Sequence, residues 1–226
     1  PLSPIERALP LAAPARFVGP VALTCPFPDP QDRARPAVPH NLPMHTLVLQ
    51  SDFGLDDGAV SAMYGVALGV EPTLRIHDVT HNIPPYDIWE GSYRLAQVAP
   101  YWSEGTVFVS VVDPGVGSER LSVVARTAGG HFVVTPDNGT LTHLDNIVGI
   151  TELRQIDEAT NRLLGSGESY TFHGRDVYAY TGARLASGAI GFEEVGPSVS
   201  LDRLVSLPVV EPSLSDGAVH GTIDTL

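Results

Sequence analysis

Three side chains of this sequence could handle a water molecule together. Asp113 sits at the end of the run Thr106–Val112, at the start of a Pro-Gly-Val-Gly turn, and Arg120 follows seven residues later in DPGVGSER. His173 lies in a second compact run, TFHGRD, just before a helix-like pattern. A guanidinium favours the hydroxide-like form of a bound water, while a carboxylate and an imidazole accept or relay its protons. Each residue also has a plainer reading. Asp113 and Arg120 would serve as a structural ion pair fixing their loop, and His173 as a hydrogen-bonded packing residue. It is the combination that points to hydrolysis.

Other groups offer other chemistry. Asp52, in SDFG, is a carboxylate that can accept two hydrogen bonds from a vicinal diol such as that of a ribose, or simply brace a turn. The glycines of DPGVG would let backbone N–H groups approach an anion. However, the phosphate-loop pattern G-x-x-x-x-G-K-[ST] is absent, and the chain contains no lysine. His77, Asp78 and His81, with His45, could be offered as metal ligands, but their spacing matches no strong zinc pattern.

The elements that must carry these groups read as strands alternating with helices. TLVLQ is a buried-strand run, followed by a turn in which Asp56 or Asp57 can cap the helix AVSAMYGVALGV, with Val60, Met63, Tyr64 and Ala67 on its inner face. LRIHDV is a second strand. Asp87 and Glu90 have capping-box spacing before the helix DIWEGSYRLAQVAPYW, where Ile88, Leu95 and Val98 mark one face and Gly91 and Ser92 permit close packing. Thr106–Val112 reads as a strand covered on both faces. Strands at 122–126 and 131–135 flank a Gly129-Gly130 turn, and TLTHL starts a short helical or extended element. Residues 151–170 are polar and weakly patterned. Asp176 is placed to cap a last helix, ended by Gly188. The pattern predicts an α/β layered fold, with a mostly parallel sheet and an antiparallel portion flanked by helices. SDFG, DVTHNIPP, DPGVGSER and TFHGRD then all fall at strand–loop junctions, where ligands of open α/β sheets bind.

Composition narrows the partners. The net charge of −13 leaves no basic surface for nucleic acid or an anionic membrane. A single cysteine, Cys25, and the absence of a convincing signal peptide suggest a cytoplasmic, reducing location. No apolar run approaches the roughly 18 residues needed to cross a bilayer. Three segments are expected: a Pro-rich, disordered arm at 1–43, an α/β domain at 44–207, and at 208–226 a linker with the strand AVHGTID, whose pairing partners are missing.

Six motifs, in order, resemble the S-adenosylmethionine (SAM) hydroxide adenosyltransferases, or SAM hydrolases, relatives of the fluorinases and chlorinases. They are SDFGLDD, DVTHNIPPYDIWEGSYRL, EGTVFVSVVDPGVGSER, PDNGTLT, TFHGRDVYAYTGARLASG and HGTID. The resemblance implies cleavage of SAM by water attacking the ribose 5′ carbon, giving adenosine and methionine with no cofactor or metal. It implies that Asp113, Arg120 and His173 position the water, and that Asp52 binds the ribose. Tyr86 would lie near that ribose, Phe172 would line the pocket of the reacting carbon, and Asp224 would meet the methionine end. Halogenating relatives carry tyrosine at position 113, threonine at 116, tyrosine at 173 and serine at 174. Asp113, Val116, His173 and Gly174 therefore favour water over halide. The resemblance further implies a homotrimer with sites between subunits and a carboxy-terminal β-barrel, of which this sequence holds only the beginning. A catalytically silent, truncated SAM- or adenosine-binding module is the alternative; a SAM-dependent halogenase or a metal-dependent hydrolase stands behind it.

Overall fold

A computed structural model describes residues 46–167, 171–210, 213–215 and 218–221. The Pro-rich arm, His45 and Asp224 lie outside the described residues.

The centre is a seven-stranded sheet in the order β2-β1-β3-β5-β4-β6-β7. Its strands are β1 (Leu47–Ser51), β2 (Ile76–Thr80), β3 (Val107–Val111), β4 (Ser122–Thr127), β5 (Phe132–Pro136), β6 (Ile150–Gln155) and β7 (Ser198–Val199). β2, β1, β3 and β5 run parallel, and β4, β6 and β7 extend the sheet by antiparallel pairing. The fold is therefore the expected α/β class. The β4–β5 hairpin turns at Gly129 and Gly130, as their spacing predicts, and Gly130 takes φ +76°.

Helices cover both faces because the buried strands are apolar on both. Leu47, Leu49, Val107 and Val109 face a core shared with Met63 and Ala67 of α1 (Ala59–Val70) and with Ala183 and Ala186 of α4 (Tyr180–Ala186). Val48 and Phe108 face a second core with Leu95 and Ala96 of α2 (Ile88–Val98) and with Leu144 of α3 (Thr142–Ile147). Two glycines let helices sit close to the sheet. A Cβ at Gly182 would lie 2.4 Å from Val109 Cγ2, and one at Gly91 would lie 2.9 Å from Val112 Cγ2.

Several local expectations need correction. Residues 151–155, within the stretch read as weakly patterned, belong to β6, which pairs antiparallel with β4 and β7. Of the face expected for α2, Leu95 is buried and Val98 packs partly buried on the same core, while Ile88 is only half-buried; Gly91, Ser92 and Ala96 complete the buried face, and Ser92 Oγ accepts from the His143 amide at 3.1 Å. Asp176 does not cap the last helix. A π-helical segment, Gly174–Ala179, precedes α4, and Asp176 is buried inside it, accepting from Arg175 Nε at 2.6 Å. The Asp176 amide already donates to the Phe172 carbonyl, so the helix starts earlier than the cap reading allows. Finally, the strand Ala218–His220 does have a partner, pairing antiparallel with Ser213–Ser215.

Candidate active site

Parallel pairing brings the carboxyl ends of β1, β2 and β3 to one edge, and the loops that leave them meet there. They line a cavity of about 240 Å³. Asp52 and Phe53 come from the loop after β1, Pro85 and Tyr86 from that after β2, Asp113 and Val116 from that after β3, and Thr171 and Gly174 from the start of the last helix. All four motifs placed at strand–loop junctions by sequence thus contribute a wall.

The turn after β3 folds Arg120 back onto Asp113. Gly117 adopts φ +80°, and the Ser118 amide closes a turn onto the Gly115 carbonyl at 3.0 Å. Arg120 Nε then donates to Asp113 Oδ1 at 2.7 Å, and Nη2 donates to Oδ2, so the planar fork grips both carboxylate oxygens. The side chains are only 6% (Asp113) and 10% (Arg120) exposed. A third donor, Nη1, reaches Ser122 Oγ at 3.2 Å. His173, buried in the first turn of the last helix, places Nδ1 3.2 Å from Arg120 Nη2. The structure thus brings Asp113, Arg120 and His173 into one contiguous cluster.

Asp52 Oδ2 accepts from the Tyr86 amide at 2.8 Å. Tyr86 has φ +66°, a left-handed conformation that costs a tyrosine roughly 1–2 kcal/mol. The bond to Asp52 and the Ile88 amide on the Tyr86 carbonyl hold it there. The residue is 69% exposed. Phe172 is exposed as well, with the Arg175 guanidinium 4.8 Å from its ring centroid, and the walls from this segment are its neighbours Thr171 and Gly174. Gly174 has little choice of residue: a Cβ there would lie 2.7 Å from Phe53 Cζ.

The loop that carries Asp52 is braced by a chain of side-chain hydrogen bonds. Tyr64 Oη donates to Asp78 Oδ2 at 2.6 Å, Asp78 Oδ1 meets His81 Nε2 at 3.0 Å, and His81 Nδ1 meets Ser51 Oγ at 2.7 Å. Burial, followed by the Asp78 contact, pushes the Tyr64 phenol up to about 12. Both ring nitrogens of His81 are engaged in this brace, while His77 packs its ring 5.5 Å from Trp102. The trio His77, Asp78 and His81 is therefore not brought together, and among the described residues no three His, Cys, Asp or Glu side chains converge as metal ligands would.

Sequence reasoning missed the far side of His173. Arg162 Nη2 lies 2.9 Å from His173 Nε2 and also pairs with Glu158. Glu158 Oε1 and Tyr178 Oη both approach Ser122 Oγ, at 3.4 and 3.1 Å. The signal was the i,i+4 spacing of Glu158 and Arg162, inside a stretch read only as polar. Burial lowers the His173 pKa and both guanidiniums push the same way, against Glu158 and Asp113. Burial also raises the Tyr178 phenol, which keeps it neutral.

Residues 47–196 match the model of the SAM hydroxide adenosyltransferase N-terminal domain. The chain belongs to the SAM hydroxide adenosyltransferase family. A relative from Salinispora tropica named (R)-S-adenosyl-L-methionine hydrolase is 46% identical over 70% of this chain and 59% of its own length. A relative from Actinoplanes named fluorinase is more distant, 27% identical over 80% of this chain and 67% of its own length. The crystal structure of an uncharacterized conserved protein from Thermotoga maritima superposes with a TM-score of 0.71 at 32% identity, covering 77% of this chain and 65% of that one. The chain spans about three-fifths of the length of the hydrolases of this adenosyltransferase family that it matches.

Proposed function

We propose that this protein hydrolyses S-adenosyl-L-methionine to adenosine and L-methionine. The observation that carries the proposal is the buried Asp113–Arg120–His173 cluster beside a cavity that also holds the Asp52 carboxylate. Water attacks C5′ of the ribose, the new C–O bond forms as the C5′–S bond breaks, and the bonding electron pair leaves on sulfur as a neutral thioether. One proton from the water is released. A sulfonium is already activated for departure, so the reaction calls on the protein for alignment and charge stabilisation and on no cofactor. Asp113, with Arg120 gripping it, orients the water from one side, and His173 completes the set. Asp52, fixed by the Tyr86 amide, takes the ribose hydroxyls, with Tyr86 beside the sugar and Phe172 towards the reacting carbon. Asp224 is assigned to the methionine end.

Water rather than halide is favoured because the cavity wall presents Val116 and Gly174, with no hydroxyl at either position. The active assembly is taken to be a homotrimer with sites between subunits, consistent with the exposed apolar side chains Leu55, Tyr86 and Phe172 near the cavity loops. A cytoplasmic location fits the substrate and the single cysteine. Among the described residues no helix is long and apolar enough to cross a membrane. The test is incubation with SAM and separation of the products. Adenosine and methionine in equal amounts support the reading, and 5′-halogenated adenosine in chloride buffer or no product from folded protein opposes it.

A further inference from the structure

Asp52, the carboxylate assigned to the ribose, lies in a turn whose backbone is tied on both sides to one residue, His81. The Gly54 amide donates to the His81 carbonyl at 2.8 Å, and His81 Nδ1 lies 2.7 Å from Ser51 Oγ. Ser51 Oγ also accepts from the Phe53 amide at 3.3 Å. Both residues are interior, with Ser51 0% and His81 3% exposed. Donor counting fixes the direction of the bonds. A carboxylate only accepts, so Asp78 Oδ1, 3.0 Å from His81 Nε2, requires the proton on that nitrogen. Asp78 Oδ2 takes the Tyr64 hydroxyl at 2.6 Å. The buried Ser51 hydroxyl has one hydrogen to place, and His81 Nδ1 is its acceptor among the described residues. A second ring proton, on Nδ1, would strand that hydrogen in the interior, and an unpaired buried donor is costly.

We propose that His81 is a positioning residue for substrate binding: as a neutral ring protonated on Nε2 and oriented by Asp78, it accepts from Ser51 and fixes the turn that aims Asp52 at the ribose diol. The chain of bonds crosses three elements, from Tyr64 on α1 through Asp78 on β2 to Ser51 at the end of β1. Ser51, His81 and Asp78 have the order of a serine nucleophile, its base and an orienting acid. Ser51 is wholly buried, however, so the arrangement orients and does not attack. The turn needs such a hold. Gly54 sits at φ +69°, and Tyr86, whose amide donates to Asp52 Oδ2, sits at φ +66°. Releasing Ser51 therefore loosens Asp52 and Tyr86 together, the two residues assigned to the sugar.

The effect on binding rests on the proposed SAM hydrolysis, but the tautomer and the hold on the turn do not. The test compares two variants of the full chain. His81→Leu keeps apolar bulk and removes both nitrogens, whereas His81→Asn is smaller but offers an oxygen to the Ser51 hydroxyl. KM for SAM should rise about tenfold in His81→Leu, the scale of a lost supporting hydrogen bond, with kcat within about threefold. His81→Asn should recover most of that loss. An unchanged KM in His81→Leu overturns the proposal, as does a larger defect in His81→Asn, the result that simple packing would give. Two NMR readouts stand apart from turnover. In the wild-type chain with ¹⁵N-labelled histidine rings, His81 should show a protonated Nε2 and a bare Nδ1 at pH 7.5; a protonated Nδ1 overturns the proposal even where a variant fails to fold. Hydrogen exchange at the Phe53 and Gly54 amides should quicken in His81→Leu and less so in His81→Asn, and unchanged exchange in His81→Leu overturns it as well. A chain with the expected tautomer and exchange that leaves SAM intact contradicts the hydrolase reading alone.

Discussion

Asp113 and Arg120 form a buried ion pair beside the cavity, held by two-point geometry. Removing one partner leaves the other charge buried and unpaired, which for such pairs costs about 3–5 kcal/mol. Asp113→Asn keeps the shape and loses the charge. Turnover of SAM by Asp113→Asn and by His173→Ala should each fall by roughly two to four decades, the range for lost acid–base or orienting groups. Steady-state kinetics on variants with wild-type circular dichroism checks this, and equal turnover would remove that residue from the mechanism. Asp52→Ala should act differently, raising KM more than it lowers kcat, because its carboxylate both faces the cavity and holds the strained Tyr86 backbone.

His173 also links the site to the pH dependence of folding. Its pKa is lowered in the folded state, so the folded chain binds fewer protons there than the unfolded chain. The contribution is fully present above the unfolded value of about 6.5 and is lost as pH falls from there towards the folded value. Urea unfolding should therefore show lower stability at pH 5.5 than at pH 7.5, and His173→Gln should flatten that difference. Much of this cluster was legible in sequence, because Asp113, Arg120 and His173 sit in compact motifs whose turns leave few alternatives. Arg162 and Glu158 were not, since their only local signal is an i,i+4 charge pair, which on most proteins is a solvated surface feature. Only the path of the chain after β6 shows that this pair faces inward to His173.

The elements explain why the site is where it is. Parallel β1, β2 and β3 were legible as apolar runs bounded by turns, and parallel pairing alone forces their carboxyl ends to one edge. The helices were legible as positions but less so as faces. On α2 the expected Leu95 is buried and Val98 partly so, and the rest of the buried face is small, since Gly91 and Ser92 let the helix approach Val112 and His143. Close approach is equally strict at Gly182. Gly182→Ala and Gly91→Ala should each destabilise the fold by about 1–3 kcal/mol, as overpacking does, measurable as a lower Tm and a lower urea midpoint with unchanged slope. The π-helical turn at Gly174–Ala179 had no sequence signal at all, and Asp176 mimicked a cap because Asp before an apolar pattern usually is one. Such π-turns recur at functional sites, and this one carries the residues that follow His173.

At the scale of the whole molecule, the chain couples a family α/β layer to a strongly acidic surface, and its net charge of −13 suits a cationic substrate such as a sulfonium. The proposed homotrimer belongs to this scale. Analytical ultracentrifugation should give three times the 24.0 kDa chain mass, and Leu55→Arg or Tyr86→Arg, placing charge on exposed apolar positions near the cavity, should lower it. The most direct measurement of the central claim is turnover of SAM in water enriched in ¹⁸O, with mass analysis of the products. The account predicts adenosine carrying one ¹⁸O at its 5′ oxygen, formed with unlabelled methionine. Intact SAM after incubation with the folded protein, or a cleaved nucleoside lacking the label, would contradict it.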